Sequence, residues 1–182
     1  CTNKAEFDLK KSQNRLRLAV KRNLYYPTRE WQYKNIPPVI LCEKYIDLFN
    51  DTDKNTTPEM LRIHCFHGVA QFMEADFTDE SGNGVINVYD RHWQLQPFQM
   101  EYLNTLQDIP KPESYQEALL AAQELALGID YCRVDLMLTR DEIYFSEITL
   151  SPNRGKLAIT PPEWDARLGE MWQMTPVENS LI

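Results

Sequence analysis

Two apolar runs separated by a short polar turn constrain the fold of this chain most strongly. Residues 131–138 and 142–150 are rich in β-forming side chains, which predicts two antiparallel strands joined as a hairpin. An acidic side chain interrupts each run, Asp135 in the first and Glu147 in the second. Because side chains alternate between the two faces of a strand, Arg133 and Asp135 are expected to share one face.

Further strands and a helix are predicted between residues 61 and 128. Three more runs of β-forming residues predict strands, at 61–67, 69–76 and 85–89. The first two flank His67-Gly68, where the chain is expected to turn. Residues 113–127 predict an amphipathic helix with Tyr115, Leu119, Ala122, Leu125 and Ala126 on its apolar stripe and Gly128 as its stop. Hairpins with a helix between them indicate an α+β fold with an antiparallel sheet.

The ends of the chain are predicted to be less regular. Residues 5–23 predict an amphipathic helix with a basic solvent face, and residues 161–170 predict a last short helix. Residues 25–38 contain four aromatic side chains and three prolines, so they are interpreted as an extended, docked segment. The predicted division is therefore a connector helix with an aromatic, proline-rich segment over 1–38, and a folded subdomain over 39–182.

Composition and charge exclude several classes of protein. The 19 Lys and Arg face 27 Asp and Glu, a formal net charge of −8, so no nucleic-acid partner is expected. The 43% hydrophobic content is typical of a folded domain, and no apolar run is long enough for a membrane span. The four cysteines lie far apart, mostly in apolar runs, which favours reduced, buried thiols and a cytoplasmic location.

Asp135 and Glu147 are the strongest candidates for chemistry. A hairpin that turns near residues 140–141 brings Asp135 opposite a residue near 146, and so close to Glu147. Two neighbouring carboxylates repel each other unless a cation or proton lies between them, which favours a divalent metal ion. Arg133 carries a planar fork that suits phosphate oxygens. The alternative is an Arg133–Glu147 ion pair with Asp135 at a solvated edge.

Several motifs occur in a characteristic order along the chain. They are residues 25–36, Cys65-Phe66-His67-Gly68, Tyr89-Asp90-x-x-Trp93, Arg133-Val134-Asp135-Leu136, Tyr144-Phe145-x-Glu147-Ile148-Thr149 and Ser151-Pro152-Asn153-Arg154-Gly155. Together they resemble the TupA-like ATP-grasp family, which is named for polyglutamate addition to a cell-wall polysaccharide. The resemblance covers nearly the whole chain. It implies an ATP-grasp-like antiparallel sheet with packed helices, and residues 39–182 as a C-terminal ATP-grasp subdomain.

The resemblance also implies a reaction and its ligands. An ATP-grasp ligase transfers the γ-phosphate of ATP to a carboxylate, and an amine then captures the acyl phosphate as an amide. Asp135, Glu147 and Thr149 are implied as ligands of Mg²⁺, although most ATP-grasp enzymes have Asn where this chain has Thr149. Arg133 is implied as the catalytic residue at the transferring phosphate. The implied partners are a nucleotide, a polysaccharide or sugar-linked carboxylate acceptor, and an amine.

Residues 39–46 resemble the strand along which ATP-grasp proteins bind adenine through backbone groups. The implied ATP-binding residues are Glu43, Lys44, Ile46 and Asp47, the last of these on the ribose, where Asp51 is an alternative. ATP-grasp proteins clamp ATP between two halves, and the phosphate-binding lysine and glycine-rich loop of the first half have no match in this sequence. We therefore expect a partial domain that lacks the N-terminal half, is inactive alone and tends to self-associate.

Two other functions are consistent with the sequence. Asp51-Thr52-Asp53 matches the Asp-x-Asp pattern with which many glycosyltransferases hold a metal ion and a nucleotide sugar. A metal-dependent glycosyltransferase is therefore one alternative, and a non-catalytic carbohydrate-binding relic is the other. Protection by ATP with magnesium would distinguish the ligase from the transferase, which would respond to a nucleotide diphosphate sugar with manganese.

Overall fold

The structure, a computed structural model, describes residues 7–48, 57–78, 84–104, 108–139 and 141–174. The chain divides into two compact units, Cys1–Asp47 and Leu48–Ile182. The division into a connector and a subdomain at residue 38 remains a prediction. The described elements form an α+β fold with an antiparallel sheet, as the sequence predicts, and this fold is consistent with a partial ATP-grasp-like domain.

The first unit begins with the predicted amphipathic helix. Helix α1 (Leu9–Ala19) starts after Asp8, whose carboxylate accepts a hydrogen bond of 2.8 Å from the backbone N–H of Lys11. Such an N-cap satisfies one of the free N–H groups of the first turn. None of the residues of α1 is buried, so the helix contributes no side chain to a core.

The aromatic segment that follows is helical at two places, so the prediction of an extended segment is wrong there. Helix α2 (Tyr25–Thr28) and a 3₁₀ turn (Trp31–Tyr33) occupy it. Pro27 lies in the first turn of α2, where its missing N–H removes no helical hydrogen bond. The ring of Tyr25 packs edge-on against that of Trp31, with centroids 5.8 Å apart, and this contact favours the compact arrangement.

Residues 39–46 form neither helix nor strand, which corrects the expectation of a strand in this run. No strand is described between residues 7 and 47, and a strand needs a neighbour to pair its backbone groups. The side chains of Val39 and Leu41 are exposed. Cys42 is also exposed, whereas Cys65 and Cys132 are buried as predicted.

The second unit is built on a five-stranded sheet. Its strands are β1 (Met60–Phe66), β2 (Val69–Thr78), β3 (Gly84–Asp90), β5 (Tyr131–Leu138) and β6 (Ile143–Thr149). They pair in the order β3-β2-β1-β5-β6, and all four pairings are antiparallel. Strands β4 (Gln99–Met100) and β7 (Ile159–Thr160) form a separate pair. Both predicted hairpins and the predicted third strand are confirmed.

His67 and Gly68 form the turn of the β1–β2 hairpin. Their φ angles are 50° and 76°, so both lie in the left-handed region, as in the type I′ turns that match the twist of antiparallel strands. Glycine enters this region freely because it has no Cβ. The turn places Phe66 opposite Val69 and Cys65 opposite Ala70, and a β-bulge at the His64–Cys65 step then shifts the register so that Arg62 lies opposite Glu74.

One face of the sheet packs against helix α3 (Tyr115–Leu125) and forms the main core. Its largest fully buried side chains include Leu61, Ile63, Met73, Tyr89, Tyr115, Val134 and Leu136. The predicted helix is confirmed, but Leu125 is 40% exposed. The buried stripe runs through Ala118, Ala122 and Ala126 at four-residue spacing, which leaves Leu125 at its edge.

The opposite face is charged across its middle strands and apolar at one end. The apolar end contains Phe66, Phe72, Ile86, Val88, Phe98, Met100 and Leu168. Leu168 belongs to the predicted last helix, α4 (Glu163–Gly169). Among the described helices, none is long and apolar enough to cross a bilayer.

Candidate functional site

Strands β5 and β6 bring the two predicted acidic residues together. Asp135 and Glu147 are direct partners across the ladder, so their predicted proximity is confirmed. The next pair is Leu136 with Phe145, which makes Ser146 the extra residue of a β-bulge. The bulge keeps Glu147 on the same face as Asp135 while the strand bends beyond it.

Arg133 is held against Asp135 by two charge-assisted hydrogen bonds. Its Nε donates to Oδ1 and its Nη2 donates to Oδ2, each at 2.7 Å. Asp135 is only 3% exposed, so its expected position at a solvated edge is wrong, whereas the Arg133–Glu147 ion pair of that alternative is present, at 3.4 Å. The pair is an arrangement in which the guanidinium fork matches both carboxylate oxygens.

Glu147 and Thr149 complete this end of the sheet. Arg133 Nη2 lies 3.4 Å from Glu147 Oε1 and 3.4 Å from Thr149 Oγ1. The Thr149 hydroxyl donates a hydrogen bond of 2.7 Å to Glu147 Oε1. The Glu147 side chain is 59% exposed, so one carboxylate of the facing pair is buried and the other is open to a ligand.

Burial and charge act against each other in the buried pair. Burial raises the pKa of Asp135 above its ordinary value, even though the hydrogen bonds and charge of Arg133 favour the carboxylate. Burial also opposes the charge of Arg133, but its hydrogen bonds to Asp135 and the nearby acids keep the arginine pKa above its ordinary value. Arg133 is therefore a permanent cation in a site with surplus negative charge.

The sequence analysis missed three charged residues of the same face, on β1 and β2. Arg62 is the ladder partner of both Asp135 and Glu74, and it forms an ion pair with Asp76. Glu74 is 1% exposed. The signal in the sequence is alternation: Glu74 and Asp76 stand two residues apart in an apolar strand, as Arg133 and Asp135 do.

The two acids of β2 have shifted pKa values in opposite directions. Burial works against ionisation of Glu74, but the hydrogen bond from His64 and the charges of Arg133 and Arg62 hold its pKa below the ordinary value. Burial raises the pKa of Asp76 to about 7, with Arg62 opposing this effect and Glu74 and Asp135 adding to it. Asp76 Oδ1 is buried and has no hydrogen-bond partner within the described residues.

The charged face therefore has more acids than arginines. Four acids (Glu74, Asp76, Asp135 and Glu147) face two arginines. No group of three or more His, Cys, Asp or Glu in the described parts of the chain is arranged to hold a metal ion alone. Mg²⁺ is usually held by one or two carboxylates together with substrate phosphates and water. The donor set of Asp135 and Glu147 fits a Mg²⁺ ion of that kind.

The remaining predicted residues lie elsewhere. Glu43, Lys44, Ile46 and Asp47 belong to the first unit, in its irregular stretch. Their contact with ATP remains a prediction. Asp51 and Asp53, the residues of the glycosyltransferase alternative, lie outside the described residues.

Comparison with known families agrees with this architecture. The α+β fold, with the Asp135–Glu147 pair on its antiparallel sheet, is consistent with a partial ATP-grasp-like domain. A model of the TupA-like ATPgrasp family matches residues 1–173, nearly the whole chain. The chain belongs to the TupA-like ATP-grasp family. No curated protein and no solved structure matches the sequence significantly.

Proposed function

We propose that the protein is an ATP-dependent carboxylate–amine ligase. ATP-grasp proteins generally bind ATP and Mg²⁺, and membership of this family supports the reaction class. The observation that carries the proposal is the pairing of Asp135 with Glu147 across the β5–β6 ladder, with Arg133 beside them. This arrangement offers carboxylate oxygens and a permanent cation on one sheet face, as phosphoryl transfer requires.

Asp135 and Glu147 would hold Mg²⁺, with the Thr149 hydroxyl as a further oxygen donor. When bound, the ion supplies positive charge to the phosphate oxygens during transfer. The two acids would have different roles in holding the ion. Asp135 is buried and oriented by Arg133, whereas Glu147 is open to an incoming ligand.

Arg133 would contact the transferring phosphate. Its Nε and Nη2 are engaged by Asp135, and its Nη1 forms no hydrogen bond within the described residues. That remaining donor can point at a phosphate oxygen without breaking the existing pair. A contact of this kind contributes roughly 3 to 4 kcal/mol of transition-state stabilisation.

The proposed chemistry has two steps. A carboxylate oxygen of the acceptor forms a bond to the γ-phosphorus, and the bond from that phosphorus to ADP breaks. The amine then attacks the acyl carbon, phosphate leaves and the amine loses a proton, which gives an amide. Arg133 stabilises charge on the phosphate oxygens in the first step, and its fixed orientation means that little reorganisation is needed.

The wider assignments rest on the family resemblance. Backbone groups near Glu43, Lys44 and Ile46 would contact adenine, and Asp47 would contact the ribose. The acceptor would be a polysaccharide or a sugar-linked carboxylate, in modification or biosynthesis of a cell-surface polysaccharide, and the reaction would take place in the cytoplasm.

The proposal is tested by trapping the acyl phosphate. The full-length protein is incubated with Mg-ATP, hydroxylamine as the amine, and either glucuronate or L-glutamate as the carboxylate, because residues 1–182 alone are expected to be inactive. We expect ADP release that requires magnesium, together with hydroxamate formation. Protection by a nucleotide diphosphate sugar with manganese would instead indicate a transferase. Binding of carbohydrate with indifference to every nucleotide would indicate a non-catalytic relic.

A further inference from the structure

Helix α1 of the first unit exposes apolar side chains to solvent. None of its eleven residues is buried, and Phe7, Leu9, Leu16 and Leu18 are between 42% and 59% exposed. Single exposed apolar residues are ordinary, whereas several on one element mark an interaction surface. The proposed reaction uses none of these residues.

Three apolar side chains share one side of the helix, which we call the apolar stripe. Leu9, Leu16 and Val20 stand seven and four residues apart, a spacing that places them on one face of an α-helix. Leu18 lies on the opposite side, because it stands about two and a half turns after Leu9. Leu9 and Leu18 are equally exposed, 59% each.

Basic side chains flank the apolar stripe on both sides. Lys10 and Arg17 lie on one flank, and Arg15 and Lys11 lie on the other. Residues 21 and 22 add two more basic side chains directly after the helix. The polar side of α1 is therefore strongly cationic.

Helix stability does not account for these charges. Residues 9–22 contain six Lys or Arg and no Asp or Glu, and none of the ion pairs in the described parts of the chain involves them. Lys10 and Lys11 stand in the first turn, where the helix dipole favours acidic residues. The charges oppose the helix locally, and they suit an anionic partner.

The combination of apolar stripe and basic flanks indicates the kind of partner. A nucleic acid or an acidic polysaccharide would neutralise the flanks but leave the leucines of the stripe in water. A bilayer with anionic lipid accommodates both, since apolar side chains enter the acyl boundary while Lys and Arg extend to the headgroups. Clusters of about four to eight basic residues on an amphipathic helix are typical of binding to such lipids.

The length of α1 determines how it could meet a bilayer. Its eleven residues rise about 16 Å, about half of the roughly 30 Å of hydrocarbon in a bilayer. The helix would therefore lie along the surface. Tyr26 and Trp31 of the same unit are 71% and 67% exposed, and both residue types are enriched at membrane interfaces.

We propose that α1 binds the surface of a bilayer that contains anionic phospholipid. The apolar stripe faces the acyl chains, and the basic flanks lie among the headgroups. Three apolar side chains bury little area, so the association is reversible and sensitive to salt. The binding does not rest on the proposed ligase function.

Co-sedimentation of the full-length protein with lipid vesicles tests the proposal. Mixed phosphatidylglycerol–phosphatidylcholine vesicles are compared with vesicles of phosphatidylcholine alone. We expect at least about tenfold tighter binding to the anionic vesicles, and this binding should weaken as salt is added. Equal binding to both kinds of vesicle, or no binding to the anionic ones, would overturn the proposal.

A matched pair of leucine variants tests the apolar stripe. Leu9→Ser should weaken binding to the anionic vesicles about tenfold. Leu18→Ser removes an equally exposed leucine from the opposite side of α1 and should leave binding within about twofold of the native value. Equal effects of the two substitutions would overturn the orientation of the helix.

A second matched pair tests the basic flanks. Replacing Lys10 and Arg17 by Gln should weaken binding about thirtyfold, at roughly fivefold per charge. The same loss of two charges at Lys111 and Lys156, both exposed in the second unit, should change binding little. Equal weakening by both pairs would reveal an effect of net charge alone and would overturn the proposal.

Other occupants of the apolar stripe give different results. If another part of the protein or a second copy covers the stripe, Leu9→Ser should lower the urea midpoint or dissociate a dimer, and vesicles should not bind. Dextran sulfate represents a soluble polyanion. If it binds as tightly as the anionic vesicles and Leu9→Ser affects neither, the partner is a polyanion. Either result would overturn the proposal.

Discussion

Arg133 and Asp135, two residues apart on β5, form a buried pair joined by two hydrogen bonds of 2.7 Å. Neither residue could remain buried in charged form without the other, because an isolated charge in a protein interior is strongly destabilising. The pair therefore fixes the orientation of the guanidinium and links the candidate site to the stability of the sheet.

This link predicts a large loss of stability when Arg133 alone is replaced. Arg133→Met should lower the free energy of unfolding by about 3 to 5 kcal/mol, because the Asp135 carboxylate loses its partner. The double variant Arg133→Met with Asp135→Leu should recover most of that loss. Urea denaturation measures the stability of both variants. A single variant as stable as the native protein would contradict the pairing.

Substitution of Glu147 should lower activity without changing stability. Its side chain is 59% exposed, so Glu147→Gln should leave the urea midpoint unchanged. In the full-length protein, removal of this carboxylate charge should lower magnesium-dependent ADP release by roughly two to three orders of magnitude. Glu142→Gln, an exposed acid next to the same hairpin turn, is the matched control and should retain activity. Native-like turnover of Glu147→Gln would refute the assignment of this residue to the metal.

The raised pKa of Asp76 predicts a pH dependence of stability. The unfolded chain releases this proton near pH 4, whereas burial delays its release to about pH 7 in the folded protein. The folded state therefore binds more protons between these values, and the contribution of Asp76 to stability is lost as the pH rises from about 4 to about 7. Glu74, whose pKa is lowered, acts in the opposite sense and loses its contribution as the pH falls.

The variant Asp76→Asn isolates this contribution. The stability of the native protein relative to the variant should fall as the pH rises from about 4 to about 7, and should be constant above that. Urea denaturation of both proteins at several pH values across this range provides the measurement. A difference independent of pH would show that Asp76 ionises normally in the folded state.

Local sequence patterns are sufficient to predict the strands and hairpins of the second unit. His67-Gly68 identified the first turn, and the spacing of Asp135 and Glu147 about the second turn predicted their proximity. Such patterns do not predict which strands pair when they are distant in sequence. Strand β1 lies between β2 and β5, and only this long-range pairing brings Arg62 opposite Asp135.

The irregular run over residues 39–46 shows a second limit of prediction from sequence patterns. Its apolar residues resemble a strand, but a strand forms only where a neighbour supplies backbone partners, and sequence periodicity contains no information about such a neighbour. Sequence patterns fail to assign Glu74 and Asp76 to the charged face for a related reason. An acid in an apolar strand is unusual on either face, and burial becomes apparent only when the sheet is assembled.

Two glycine substitutions should have opposite effects on stability. Gly68→Ala places a Cβ at a φ of +76° and should destabilise the protein by about 1 to 2 kcal/mol. Gly169→Ala, at the end of α4, where the added Cβ meets nothing within 4 Å apart from its chain neighbours and the backbone of its own helix, should be neutral or stabilising by up to about 1 kcal/mol. Thermal or urea denaturation measures both. Equal effects would contradict the left-handed turn.

The proposed adenine contact in the first unit depends on backbone groups. If backbone groups near residues 43–46 bind adenine, truncation of a side chain there should matter little and loss of an N–H should matter much. Lys44→Ala should therefore change ATP affinity less than twofold, while Ile46→Pro should weaken it about tenfold or more, at roughly 1.4 kcal/mol per factor of ten. The run has no helix or strand that proline would break, so unchanged unfolding of both variants serves as the control. Calorimetric titration with Mg-ATP measures the affinities, and equal weakening by the two substitutions would place adenine elsewhere.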